Sequence, residues 1–187
     1  MDSFLFCLVL VFAIALGGRD QLIVARLSEA LGQRLSLLLL GGVCAAICAA
    51  VMAYAGATMA QILPTRAAEM LVAFALAIAA FELAWPVRMK RMDDPTRSLG
   101  AVGLVLLARQ FGDAARFCVF ALAALATYPV TAMIGGALGG FAAIALGWTL
   151  GAELESKVPL RAFRIAMAAC LFVAALFIGL NARYDLY

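Results

Sequence analysis

Six long apolar stretches constrain the fold of this chain more than any other feature. A helix needs about 20 apolar residues to cross the hydrocarbon core of a bilayer, and only helices or closed barrels satisfy their backbone groups there. Of the 187 residues, 67% are hydrophobic and 13% are charged, whereas a soluble domain is about half apolar and a quarter charged. The stretches lie at 4–27, 35–59, 66–86, 100–125, 130–152 and 162–182. The sequence therefore predicts an all-α integral membrane protein with six transmembrane helices.

The chain divides into two related halves. A polar stretch, Arg88–Ser98, separates the third and fourth spans, which gives a first repeat at 1–87, a cytoplasmic linker at 88–99 and a second repeat at 100–187. The halves align without a gap at an offset of 95, and the informative matches are Gly17 with Gly112, Gly41 with Gly136, Gly56 with Gly151, Pro64 with Pro159 and Arg66 with Arg161. Because each half has an odd number of spans, the two must face opposite ways, as in the inverted repeats of many transporters.

Loop charge predicts the orientation. The loops after spans one, three and five are assigned Arg26, Arg34, Arg88, Lys90, Arg91, Arg97, Lys157, Arg161 and Arg164, whereas the other side keeps Arg66 and Arg183. The positive-inside rule then puts those loops in the cytoplasm and both termini outside it. We expect a bacterial inner (plasma) membrane protein whose main partner is the lipid bilayer. Since orientation explains the basic residues, the net charge of +3 does not indicate a nucleic-acid partner.

Two polar clusters interrupt the first and fourth spans. They are Gly17-Gly18-Arg19-Asp20-Gln21 and Arg109-Gln110-Phe111-Gly112-Asp113, with Arg116 just beyond. An ionisable group at the bilayer centre costs roughly 2.5–3.5 kcal/mol on insertion scales and is a functional-site hypothesis by default. The candidate ion-binding residues are Asp20, Gln110 and Asp113, with core charge partners Arg19, Arg109 and Arg116 and motif glycines Gly17 and Gly112. We expect Asp20, Gln110 and Asp113 to converge near the midplane, beside Arg19 and Arg116.

This layout resembles the GDT-one family, which comprises the Golgi-type manganese and calcium exchangers and their bacterial relatives. Its members have two inverted three-span halves, and spans one and four carry the motif Glu-x-Gly-Asp-(Lys/Arg)-(Ser/Thr). Here the segment 15–20 keeps Gly17 and Arg19 of the motif, and the segment 110–115 keeps Gly112 and Asp113. Pro-x-Arg also precedes the third helix of each half, at 64–66 and 159–161. The resemblance implies cation–proton exchange of manganese or calcium, with Asp113 at a motif position and no resident cofactor. Asp20 stands where the motif has Ser or Thr, and we expect it to hold the metal together with Asp113.

Charge and helical spacing leave two alternatives open. The central charges are Asp20 and Asp113 against Arg19, Arg109 and Arg116, a formal net of +1. Hard divalent cations prefer several carboxylates, whereas guanidinium groups bind anions in a planar fork, so an anionic or zwitterionic solute is one alternative. The spacings i, i+4 (109 to 113) and i, i+3 (113 to 116) also favour ion pairs within one helix. That geometry predicts a degenerate family member with a structural or partner role and no transport.

Further predictions concern catalysis, assembly and the acidic residues of the third span. The sequence predicts no enzyme, since it has no histidine, no nucleotide-binding loop and no nucleophile–base pair. The small-xxx-small spacing of glycines in the fifth span predicts close helix packing or a homodimer face. A heteromer with an intact homologue is the other assembly considered.

Glu69 and Glu82 are expected to reach the membrane interface from the ends of the third span.

Overall fold

The computed structural model describes residues 2–87, 98–151, 153–154 and 159–184, and within these ranges all regular structure is helical. The long elements are α1 (Asp2–Ala15), α2 (Arg19–Leu31), α3 (Leu35–Ile62), α4 (Thr65–Ala84), α5 (Leu99–Phe111), α6 (Ala114–Leu125), α7 (Pro129–Leu150) and α8 (Leu160–Tyr184). The expectation of an all-α membrane protein is confirmed for this part of the chain.

Among the described helices, α3, α4, α7 and α8 are long and apolar enough to cross a membrane. At 1.5 Å per residue, α3 is about 42 Å long, enough for the hydrocarbon core and part of the headgroup region. The pair α1–α2 makes a fifth span if the two helices, bent by 65° at their junction, are counted together. Helices α5 and α6 are shorter apolar helices.

The prediction of continuous helices at 4–27 and 100–125 is wrong. The first stretch breaks between Ala15 and Arg19, and the second between Phe111 and Ala114. Both breaks fall on the polar clusters, where glycine and an extended residue interrupt the backbone hydrogen-bond ladder. Average hydropathy does not detect such a break, because the flanking turns remain apolar.

Helix boundaries in the two halves follow the offset seen in the sequence. Helices α2 and α6 begin 95 residues apart, at Arg19 and Ala114, and α4 and α8 begin 95 apart, at Thr65 and Leu160. The packing corresponds as well: α1 packs on α7 of the other half, and α5 packs on α3. Helix α3 also packs on α7, and α4 packs on α8.

Small residues fill the interior and large apolar residues cover the outside. A Cβ atom at Gly135 or Gly139 of α7 would lie 2.5 Å from a backbone oxygen of α1, at Phe4 or Leu8 respectively. These glycines therefore allow close packing within the chain and do not provide the homodimer face considered from sequence. Phe74, like many other large apolar side chains, is exposed on the outer surface, as expected for a protein surrounded by lipid.

Several residues used to predict orientation do not lie in loops. Arg26 belongs to α2, and Arg164 belongs to α8, where it is buried. Most of the cytoplasmic linker, 88–97, and Lys157 lie outside the described residues. The basic residues that remain in short connections or at helix ends include Arg34 and Arg161.

Candidate functional site

The first helix break is built on Gly17. Its φ of +72° lies in the left-handed region that L side chains rarely adopt, and Gly18 follows in an extended conformation before α2 begins. Asp20 thus lies in the first turn of α2, where the positive end of the helix dipole favours a carboxylate. Of the two motif glycines, Gly17 is the one whose backbone requires glycine.

The second break places Asp113 at the start of α6. Gly112 has a φ of −94°, and Asp113 is extended and occupies the N-cap position. An N-cap aspartate normally accepts a hydrogen bond from a backbone N–H of the first turn, but the Asp113 side chain makes no such bond. Its carboxylate is consequently not used to cap α6.

The two breaks meet at a small polar cavity of about 190 Å³, here called the central cavity. Its lining comprises Arg19, Asp20, Glu82, Ala108, Arg109, Gly112 and Asp113. The structure thus brings both predicted aspartates to one place, although they lie more than 90 residues apart in sequence. The walls are supplied by the starts of α2 and α6 and the ends of α4 and α5.

Two buried polar side chains at this site lack protein partners. Gln110 is fully buried, and neither its oxygen nor its nitrogen has a hydrogen-bond partner. Asp20 is 4% exposed, and its Oδ1 atom is also unpartnered. The Gln110 side chain lies beside the Asp20 carboxyl but does not complete a bond to Oδ1. Leaving such groups unsatisfied costs about 1–3 kcal/mol each, so they need an explanation other than packing.

A second buried glutamine provides a contrast. Gln21 is also fully buried, but its Oε1 accepts a 2.7 Å hydrogen bond from the Gly17 N–H and its Nε2 donates one of 2.7 Å to the Ala143 carbonyl. Gln21 therefore connects the break between α1 and α2 to α7 through hydrogen bonds. Gln110, at the second break, has no such partners.

The predicted arginines do not share one environment. Arg116 is 1% exposed and does not line the cavity; its Nη1 donates to the Gly136 carbonyl at 3.3 Å, toward α7. Arg19 is half-buried and Arg109 is exposed, and both line the cavity. In the described part of the chain neither forms an ion pair with Asp20 or Asp113. The two in-helix ion pairs predicted for Asp113 are not formed among the described residues. The end of α5 at Phe111 separates Arg109 from Asp113, and Arg116 bonds to the Gly136 carbonyl, although its charge still acts on Asp113.

Glu82 and Arg164 form an ion pair at this site that the sequence analysis missed. Arg164 Nη2 lies 3.4 Å from Glu82 Oε1 and donates to the Glu82 backbone oxygen at 3.2 Å. Its Nη1 donates to the Gly17 carbonyl at 3.3 Å. Glu82, which we expected to reach the membrane interface, is thus partly buried and paired with Arg164. The available signal was an acid on α4 and a base on α8 within apolar helices, where a charge usually has a partner.

A larger cavity of about 400 Å³, here called the basic cavity, lies on the other side of this ion pair. It is formed by the Gly17 break, the end of α4 and the start of α8, and its charged lining residues are Arg161 and Arg164. Trp85 also contributes to its wall. The Arg164–Glu82 pair lies between the two cavities, since Arg164 lines the basic cavity and Glu82 lines the central one.

The chemistry available at the central cavity is that of carboxylates, an amide and guanidinium groups. Among the described residues, no three acidic, cysteine or histidine side chains are arranged so that together they could hold a metal ion. Asp20 and Asp113 with the Gln110 amide supply oxygen ligands of the type that hard cations prefer. They are fewer than a fully dehydrated divalent ion requires.

Comparisons with protein families, with curated proteins and with solved structures found no significant match to this chain.

Proposed function

We propose that this protein is a secondary transporter that exchanges a cation for protons, with its binding site at the central cavity. The observation that carries the proposal is the set of buried polar atoms without protein partners, on Asp20 and Gln110, where the two broken helices meet. Ionisable groups in that position mark ion pathways and proton relays in membrane proteins. Manganese and calcium are the cations proposed first, as the family resemblance implies.

The same observation weakens the purely structural alternative. A polar core that only locks a bundle together would be expected to satisfy its own hydrogen bonds, because unsatisfied groups cost more than an apolar core. Here Gln21 and Arg164 are satisfied by backbone groups and by Glu82. Arg116 bonds to the Gly136 carbonyl, but its Nε atom has no partner. The Oδ1 atom of Asp20 and both polar side-chain atoms of Gln110 have no protein partner, which favours a role in binding.

Acidic side chains outnumber basic ones in the lining of the cavity itself. Three carboxylates, on Asp20, Glu82 and Asp113, line the cavity with two guanidinium groups, on Arg19 and Arg109. Arg116 bonds toward α7 and does not line the cavity, but its charge still acts on both aspartates. A cation at this position is attracted by two aspartates that have no ion-pair partner.

The architecture proposed for this function is six spans in two inverted three-helix repeats. Two contacts support the repeat. The thiol of Cys44 on α3 donates to the Gly103 carbonyl of α5 at 3.7 Å, and Gly139 of α7 packs on the Leu8 carbonyl of α1. The two contacts are related by the offset of 95, as a pseudo-twofold arrangement requires. In this proposal α5 and α6 together form the sixth span, and the site lies where the repeats meet.

An anionic or zwitterionic solute is the second candidate, because of the basic cavity. Arg161 and Arg164 line it at the start of α8, and guanidinium groups bind carboxylates and phosphates well. Arg164 is already engaged by Glu82 and two carbonyls, which leaves Arg161 as the available charge. That is why we place the cation first.

The test is uptake of radiolabelled manganese or calcium into proteoliposomes under an imposed pH gradient. We expect uptake by the wild type and a loss of at least about tenfold in Asp20→Asn and Asp113→Asn, because each removes a charge from the site. Glu69→Gln is the matched control, since Glu69 lies on α4 but does not line the cavity. Folded protein without uptake of either cation would overturn the cation proposal, and inhibition by small carboxylates or phosphate would favour the second candidate.

A further inference from the structure

The ion pair between Glu82 and Arg164, at the edge of the central cavity, has longer N–O distances than an ordinary buried ion pair. The Nη2 atom of Arg164 lies 3.4 Å and 3.5 Å from the two carboxylate oxygens of Glu82, whereas charge-assisted N–H···O bonds are usually about 2.7–2.9 Å. The Glu82 side chain is still partly accessible, at 19%, compared with 5% for Arg164. The carboxylate is thus held weakly at the edge of a cavity.

Arg164 does not depend on this carboxylate alone. Its Nη1 bonds to the Gly17 carbonyl, and its Nη2 also bonds to the Glu82 backbone oxygen. If the Glu82 carboxylate moved into the central cavity, Arg164 would keep two acceptors. The loss for Arg164 would therefore be smaller than for a buried base with a single partner.

Only two of the three carboxylates that line the central cavity are unpaired, and in this arrangement no three acids of the described residues could together hold a metal ion. Asp20 and Asp113 lie there without ion-pair partners, and hard cations bind more tightly as carboxylates are added. Glu82 lines the same cavity and acts electrostatically on Asp113. It is the acid among the lining residues that is currently paired with an arginine.

We propose that Glu82 is a third cation ligand that exchanges its partner, from Arg164 to the transported cation, and that the Arg164–Glu82 pair closes the passage between the basic and central cavities when no cation is bound. This inference rests on the proposed function. In this inference Arg164 competes with the cation for the Glu82 carboxylate. The competition lowers the affinity for the cation, and Glu82 leaves Arg164 only when a cation binds. Since Arg164 also holds the Gly17 carbonyl, the exchange takes place directly beside the first helix break.

The two members of the pair have opposite effects in this account. Glu82→Gln removes a ligand and weakens manganese binding by about tenfold or more. Arg164→Gln frees Glu82 from its competitor and tightens binding by about threefold or more. A static ion pair acts on Asp113 only through the two opposite charges of Glu82 and Arg164. It predicts that the effects of the single variants cancel, so that the double variant Glu82→Gln/Arg164→Gln binds manganese like the wild type.

The experiment is equilibrium binding of radiolabelled manganese to the detergent-solubilised full chain, with the melting temperature of each variant measured in parallel. Arg164→Lys, which keeps the charge but not the planar fork of the guanidinium, is included in case Arg164→Gln does not fold, and it is expected to bind manganese at least as tightly as the wild type. The double variant Glu82→Gln/Arg164→Gln is expected to bind manganese more weakly than the wild type, because loss of the Arg164 charge near Asp113 does not replace the missing ligand.

The outcomes separate this inference from the proposed function. Wild-type protein that binds manganese with an affinity unaffected by Glu82→Gln would overturn the role of Glu82 and leave the transporter proposal intact. Weaker binding in Arg164→Gln than in the wild type, with the protein folded, would also overturn it. Wild-type protein that binds no manganese would overturn both.

Discussion

At the scale of single residues, equivalent motif positions in the two halves have different backbone requirements. Gly17 and Gly112 align in sequence, but only Gly17 has a positive φ. A Cβ at Gly17 would also come within 3.1 Å of Leu160, whereas one at Gly112 would meet nothing within 4 Å. The sequence marked both glycines and gave no means of ranking them, because backbone dihedrals depend on how each break is packed.

This difference predicts unequal effects of alanine at the two sites. We expect Gly17→Ala to lower the free energy of unfolding by about 1–2 kcal/mol, the cost of a left-handed conformation for an L residue. Gly112→Ala should change it by less than about 0.5 kcal/mol. Denaturant titration in detergent micelles measures both, and equal losses would contradict the assignment of the strained turn to Gly17.

The two buried glutamines yield a second pair of predictions. Gln110→Leu should raise the free energy of unfolding by about 1 kcal/mol, because it removes unsatisfied polar atoms from the interior. Gln21→Leu should lower the free energy of unfolding by about 1–3 kcal/mol, since the substitution leaves the Gly17 N–H and the Ala143 carbonyl without their hydrogen-bond partner.

The same denaturant titrations test this pair, together with manganese uptake. In our account Gln110→Leu gains stability and loses uptake, as expected of a residue kept for function. A stable Gln110→Leu protein that transports as well as the wild type would show that the amide has no role at the site.

At the scale of elements, sequence reasoning located the helices well but not their interruptions. The offset of 95 and the prolines at 64 and 159 anticipated the starts of α4 and α8. The breaks before Arg19 and Ala114 were not anticipated, because the polar residues there were interpreted as parts of continuous helices. The Arg164–Glu82 pair was missed for a related reason: tertiary packing between α4 and α8 brings the residues together, and sequence spacing does not show it.

Packing between α1 and α7 depends on the absence of a side chain at Gly139. We expect Gly139→Ala to lower the free energy of unfolding by about 1–3 kcal/mol, because its methyl group would lie 2.5 Å from the Leu8 carbonyl and push the helices apart. Gly179→Ala in α8 is the control, since a Cβ there meets Ala73 at an ordinary 3.4 Å. Comparable stability of the two variants would contradict the close approach of α1 and α7.

At the scale of the whole molecule, the inverted repeat makes a topological prediction. Arg66 and Arg161 occupy equivalent positions in the two halves, so inversion places them on opposite sides of the membrane. In a Cys170→Ala background, which removes the exposed native thiol, we expect Arg66→Cys to react with an impermeant maleimide from outside the cell. Arg161→Cys should react only after the membrane is permeabilised, and labelling of both from one side would exclude the inverted architecture.

The central claim, that cation movement through the site is coupled to protons, is tested most directly by measuring proton movement. Proteoliposomes containing a pH-sensitive dye would receive manganese on the outside, without an imposed pH gradient. We predict that entering manganese drives protons out and raises the internal pH for the wild type and Glu69→Gln, but not for Asp20→Asn or Asp113→Asn. Manganese entry without a pH change, or no response from folded wild-type protein, would contradict the account.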